Sequence, residues 1–233
     1  AVPLLHSGMP FDDVRRAAAI LQRRELDFLN ILDSVWLKAQ VSRWNLGAAV
    51  PVWQREVGME VGSGLLAADL GLFPGRSMLA LSGAQLVLLD ANTGDVLWRY
   101  AFDLPVAGTP AVSPDGIVYA GSTGAKLAAV DAATGNELWS VETRFGFDAS
   151  PAVGEKFVFV ADQDGAVQAY DRRTGKVAWK WQGAYGDHFV SSPLLLGKIL
   201  IAASSSGALY VFDAETGEAL QNIHLGDGVS ASP

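Results

Sequence analysis

LAAVDAATGNELWSV, residues 127–141, is a short apolar run, a turn of the form Asp-x-x-Thr-Gly, and a second run that carries Trp139. Two short extended segments joined by a turn rich in Asp and Gly mark an antiparallel hairpin. The phrase recurs as LVLLDANTGDVLWRY (86–100), VQAYDRRTGKVAWKW (167–181) and LYVFDAETGEALQNI (209–223). The aspartates that open these turns, Asp90, Asp131, Asp171 and Asp213, stand 41, 40 and 42 residues apart. A second marker keeps the same step: Thr109-Pro110, Ser150-Pro151, Ser192-Pro193 and Ser232-Pro233 place their prolines 41, 42 and 40 apart. Two independent markers on one period of about 40–45 residues identify a repeat whose unit is a four-stranded propeller blade.

Each unit reads alike. A short strand follows the proline (Ala152, Val153), a second runs from Phe157 to Ala161, and a turn follows at Asp162 to Gly165. The third strand, Ala166 to Tyr170, enters the box at Asp171, and the fourth is Val177 to Trp181. In the box, Asp accepts backbone N–H bonds from two or three residues on, and Gly takes the left-handed conformation that lets the next strand start with a bulge. Trp98, Trp139 and Trp179 each follow the box Asp by 8 residues, whereas the fourth copy has Gln221 there. Blades diverge from their axis, so a large ring is needed to fill the gap to the next blade, and its indole N–H can reach a backbone carbonyl. Asp, Gly and Trp are therefore read as structural rather than ligand-binding.

Composition excludes several chemistries. The 233 residues are 50% hydrophobic, include 25 Gly and 7 Trp, and carry a net charge of −8 from 17 basic and 25 acidic residues. Without a Lys/Arg-rich block, duplex nucleic acid and an anionic membrane surface are poor partners. There is no cysteine, so disulfides, thiolate-held metals and thiol catalysis are excluded. No apolar run reaches the ~18–20 residues of a transmembrane helix, and residues 1–5 lack the basic start and long apolar middle of a signal peptide. His6, His188 and His224 show no metal-ligand spacing.

The phrase Ala-x-Asp-x-x-Thr-Gly-x-x-x-Trp, at residues 129–139 and 169–179, closely resembles the tryptophan-docking repeat of the PQQ-like propeller superfamily, over about residues 52–233. The resemblance implies an all-β fold, a β-propeller of four-stranded blades with four complete repeats plus partial ones. That superfamily includes quinoprotein dehydrogenases, with a quinone and calcium on the axis, and non-enzymatic members such as the propeller lipoprotein of the bacterial outer-membrane β-barrel assembly machinery. The chain departs from the dehydrogenases in lacking a vicinal disulfide and in holding half a ring. The candidate calcium oxygens (Asp115, Asp148, Asp162, Asp164, Asp187, Asp227) are scattered over turns of different blades. The expectation is a non-enzymatic protein-interaction scaffold without cofactor, in the periplasm or cell envelope by resemblance. The alternative is a relative or fragment of a quinoprotein dehydrogenase.

Two regions bear on partners. Residues 1–47 are expected to form an N-terminal helical extension to the propeller at 52–233. Val14, Ala18, Leu21, Phe28, Leu29, Leu32 and Trp36 fall near helical spacing, and such a helix either packs on the propeller or docks a partner. Val52 to Val57 reads as the outer strand of a preceding blade, and Ser232-Pro233 as the opening of a further one. A closed ring of this family needs seven or eight blades, so the expectation is truncation, missing residues, or a larger complex or second chain that completes the ring. The loops joining one blade to the next gather at one end of the axis, and those at 143–148 and 183–190 carry Arg144, Phe145, Phe147, Tyr185, Asp187, His188 and Phe189. These are the candidate interaction residues. The residues leave open whether their rings face a partner or fold inward to seal the propeller mouth.

Overall fold

A computed structural model describes residues 66–68, 77–90, 93–184 and 187–226, all within the second of the two units into which the chain divides, Val52–Pro233. The N-terminal helical segment, the strand at Val52 to Val57, Tyr185, Asp227 and the Ser232-Pro233 marker lie outside the described residues. Within them the protein is all-β: four consecutive four-stranded antiparallel sheets, each a propeller blade. Blade 1 comprises β1 (Leu66–Ala68), β2 (Ser77–Ser82), β3 (Gln85–Asp90) and β4 (Val96–Ala101). Blade 2 comprises β5 (Ala111–Val112), β6 (Ile117–Gly121), β7 (Lys126–Asp131) and β8 (Glu137–Glu142). Blade 3 runs through β9 (Ala152–Val153), β10 (Phe157–Ala161), β11 (Ala166–Asp171) and β12 (Val177–Gln182). Blade 4 runs through β13 (Leu194–Leu196), β14 (Ile199–Ala203), β15 (Ala208–Asp213) and β16 (Ala219–His224). The innermost strand β9 lies beside both β5 and β13, which sets the blades side by side around an axis.

The box closes as its chemistry requires. Asp131 Oδ1 accepts from the backbone N–H of Ala133 (3.0 Å) and Thr134 (2.8 Å), and from the Thr134 hydroxyl (2.8 Å). Asp171 and Asp213 repeat the pattern. Gly135, Gly175 and Gly217 then take φ of 75°, 70° and 75°. The pairing of third and fourth strands slips by one residue at Ala129/Val130, Ala169/Tyr170 and Val211/Phe212, the expected bulge.

The tryptophans join blade to blade. Trp98 Nε1 donates to the Ala132 carbonyl of the next box (2.8 Å), Trp139 to that of Arg172 (3.0 Å), and Trp179 to that of Ala214 (3.1 Å). Each ring lies flat on the next blade's box glycine. A Cβ added at Gly135, Gly175 or Gly217 would sit 2.7, 2.7 and 2.5 Å from the rings of Trp98, Trp139 and Trp179. Gly is thus required twice, by the left-handed backbone and by the ring above it. Nearer the axis, the marker hydroxyls make a second seam: Thr109 N–H donates to Ser150 Oγ (2.7 Å) and Ser150 N–H to Ser192 Oγ (2.9 Å).

Burial follows this stacking. The four central residues of β7 are buried on both faces, because each face meets a neighbouring blade. In β15 burial alternates, and β16 is exposed throughout. Gln221, at the position of the other copies' tryptophan, lies on β16, whose side chains meet no further blade among the described residues.

Gly175→Ala would force a methyl into the Trp139 ring, whereas at Gly197, also left-handed at φ 61°, nothing lies within 4 Å of an added Cβ. Gly197→Ala is expected to cost about 1 kcal/mol from backbone strain alone, and Gly175→Ala about 2 kcal/mol more from overpacking. Equal urea midpoints for the two variants would show that the ring does not hold the glycine in place.

Candidate functional site

Each inter-blade loop is fastened to the next blade by the same backbone bonds. The carbonyls of Pro105, Gly146 and His188 accept from Thr123 N–H (2.8 Å), Gln163 N–H (3.1 Å) and Ser205 N–H (2.8 Å) in the β6–β7, β10–β11 and β14–β15 turns. One residue on, the N–H groups of Val106, Phe147 and Phe189 donate back to Gly83, Ser122 and Asp162. Main-chain bonds place the loops, so the side chains between the anchors are free to differ.

The structure divides the candidate interaction residues. Phe147 is 1% exposed and Phe189 0%, each sealed in the core between blades. They are loop plugs equivalent to Val106, and the inward alternative applies to them. Asp187 is also buried. Its carboxylate accepts from Ala184 N–H (3.1 Å), Ser206 Oγ (2.5 Å) and Tyr210 Oη (2.7 Å), tying its loop to blade 4. Arg144 and His188 are exposed and Phe145 is half-buried. The signal that separates these groups was in the sequence. Val106, Phe147, Phe189 and Val229 each precede a marker proline by 4 residues, so an apolar side chain there belongs to the repeat.

The outward residues border a groove of about 500 Å³ lined by Phe145, Asp148, Gln163, Asp164, His188, Val190 and Ser205, drawn from two loops and the turns of blades 3 and 4. Gln163 Nε2 donates to Asp148 Oδ2 (2.9 Å). His188 Nδ1 meets the Gln163 carbonyl, and a carbonyl only accepts, so Nδ1 is the donor. Arg144 lies over the Phe145 ring, 5.2 Å from its centroid.

Beneath the loops lie two buried carboxylates with opposite behaviour. At Asp187 burial works against the charge, but donors on Ser206, Tyr210, Ser204 and Ala184 outweigh it and hold the carboxyl below its usual range. At Asp162 burial prevails over the N–H groups of Ala166 and Asp164 and raises the carboxyl. Asp162 Oδ2 accepts from Gln168 Nε2 (2.9 Å), whose Oε1 accepts from Tyr170 Oη (2.8 Å). Burial pushes the Tyr170 phenol up to about 12.

Among the described residues the candidate calcium oxygens engage separate partners. Asp115 pairs with Arg172 (2.6 Å), Asp148 with Gln163, Asp162 with Gln168, and Asp187 with Tyr210. Among the described residues no group of three or more His, Asp or Glu is placed to hold a metal ion. Also among the described residues, no helix is long and apolar enough to cross a membrane.

A family model described as outer membrane protein assembly factor BamB matches residues 41–115 and 83–231, and a model of a family of unknown function matches residues 1–53. No curated relative matches the sequence. Among solved structures, BamB from Moraxella catarrhalis is similar at 24% identity and a TM-score of 0.66, over 78% of this chain and 54% of that one. A europium-containing methanol dehydrogenase is similar at 16% identity and 0.64, over 76% and 44%. The quinohemoprotein alcohol dehydrogenase ADHIIG from Pseudomonas putida HK5 is similar at 20% and 0.63, over 76% and 36%. The chain thus spans about half or less of the length of these structures, and likeness at such identity shows the propeller fold.

The two carboxylates give opposite pH signatures. A depressed folded value stabilises above the unfolded value of ~3.9 and is lost as pH falls through the folded one; a raised value does the reverse. Asp187→Asn should therefore cost stability that is constant above about pH 5 and shrinks below about pH 4. Asp162→Asn should cost least at neutral pH and more in acid. Chemical melts at a series of pH values read both, and parallel curves for the two variants would contradict the assignment.

Proposed function

We propose, from the premise that the chain belongs to the family of outer membrane protein assembly factor BamB, that it is a non-enzymatic propeller scaffold that docks a protein partner in the bacterial cell envelope, on the periplasmic side. The observation that carries this reading is the construction of the loop end. Phe145, His188 and Val190, the last 41% exposed, stand at the groove on loops that main-chain bonds anchor. An anchored platform presenting a partly exposed aromatic beside polar groups suits recognition of a protein surface. The family description supports the envelope location and an assembly role. The N-terminal extension at 1–47 is proposed as a second contact, by its amphipathic spacing.

The competing reading is a quinoprotein dehydrogenase relative, for which the likeness to the two dehydrogenases supports the propeller alone. Titration with pyrroloquinoline quinone and calcium, followed by absorbance, distinguishes them: tight stoichiometric binding would overturn the scaffold reading. For docking, Phe145→Ala with Val190→Ser should reduce recovery of a cross-linked native complex about tenfold while shifting Tm by no more than about 2 °C. Phe147→Ala should instead lower stability by about 3–5 kcal/mol, as for other buried aromatics. Undiminished cross-linking by the double variant would place the partner elsewhere.

A further inference from the structure

We infer that the groove at the loop end recognises a protein segment in which a basic side chain stands next to a large apolar one. This deepens the scaffold reading and rests on it. The residues of fixed charge that line the groove are two carboxylates, Asp148 and Asp164. Only one oxygen of Asp148 is taken by Gln163. The Asp164 carboxylate accepts from no group among the described residues, while its backbone carbonyl takes Gln182 Nε2 (2.6 Å). His188 Nδ1 donates to the Gln163 carbonyl, so that nitrogen is not available to an occupant. The remaining polar lining is Gln163 and the Ser205 hydroxyl, and no Lys or Arg contributes to the groove.

Such a wall attracts a cation and repels an acidic segment. The apolar part of the lining, Phe145 and Val190, needs a side chain of its own kind. Neither ring nor valine is consumed by the core, as the equivalent plugs Phe147 and Phe189 are. Arg144 does not satisfy the wall, since its guanidinium lies over the Phe145 ring and it is not part of the lining. The occupant is therefore a partner's Lys or Arg beside a Leu or Phe, the charge set against Asp148 and Asp164 and the apolar group against Phe145 and Val190.

Fluorescein-labelled peptides of three cores test this by anisotropy on the full chain: Leu-Lys-Leu-Arg, Leu-Glu-Leu-Glu and Ser-Lys-Ser-Arg. The first should bind at least about tenfold more tightly than either of the others. Its affinity should fall about tenfold on raising salt from ~0.05 to ~0.5 M, where screening shortens to a few ångström. Asp164→Lys, at an exposed turn outside the core, should cost a similar factor, and Asp164→Asn less. Equal affinity for the basic and acidic peptides, or no effect of Asp164→Lys, would overturn the inference. If Asp164→Lys leaves peptide binding unchanged while Phe145→Ala with Val190→Ser still loses the native complex, the scaffold reading stands and only the partner chemistry falls. If the native complex survives both variants, both fail.

Discussion

One contact recurs at every described blade boundary and the rest of the architecture depends on it: a tryptophan ring lying on the glycine of the next blade's turn. Its geometry serves two needs at once. The indole face covers a backbone with no Cβ, and the indole N–H donates to the carbonyl three residues earlier, as Trp139 does to Arg172 over Gly175. A buried indole left unpaired would carry a desolvation penalty, so the hydrogen bond allows a ring of that size at the seam. The distance between neighbouring blades is set by ring thickness against backbone. Everything placed further along the blades, including the loops at the axis end, inherits that spacing.

Other inter-blade contacts differ in chemistry without changing the spacing. Between blades 2 and 3 the turn carboxylate of Asp115 meets Arg172 (2.6 Å); between blades 3 and 4 the polarity is reversed, with Lys156 meeting Glu215 (2.9 Å). The exposed Lys156–Glu215 pair contributes little to stability, whereas the Arg172 side chain is largely buried in its pair with Asp115.

The fold was legible because its determinants repeat. Asp131, Gly135 and Trp139 mean little in one copy, but a period held by two markers admits few architectures. The strand ranges, the box hydrogen bonds, the bulges and the indole–carbonyl bonds all follow from those residues and elementary sterics. The loop end was less legible. Phe147 and Phe189 sit among polar loop residues, where an aromatic reads as an anchor, and only alignment on the marker prolines shows them to be the plug that Val106 also supplies. Asp187 could not be recognised as an internal tie, because its partners Ser206 and Tyr210 lie some twenty residues away in the next blade. Asp162 was read as one turn carboxylate among several. Its distinction is a cross-strand amide, Gln168, where blade 2 has Ala128.

The same comparison explains how a rigid repeat can carry a specific surface. In each loop the anchoring atoms are main-chain: the carbonyls of Pro105, Gly146 and His188, and the N–H groups one residue on. Side chains flanking those anchors contribute nothing to the bonds, and they diverge accordingly. Two positions before the plug stand Leu104, exposed; Phe145, half-buried at the groove; and Asp187, turned inward to Tyr210. Substitution there alters what the loop presents without moving its backbone, provided the new side chain needs no buried partner. Asp187 has taken such a partner and so has become structural, whereas Phe145 stays half-buried at the groove. Recognition can therefore change at the loop end at small cost to the propeller, because these loops are anchored by main-chain atoms.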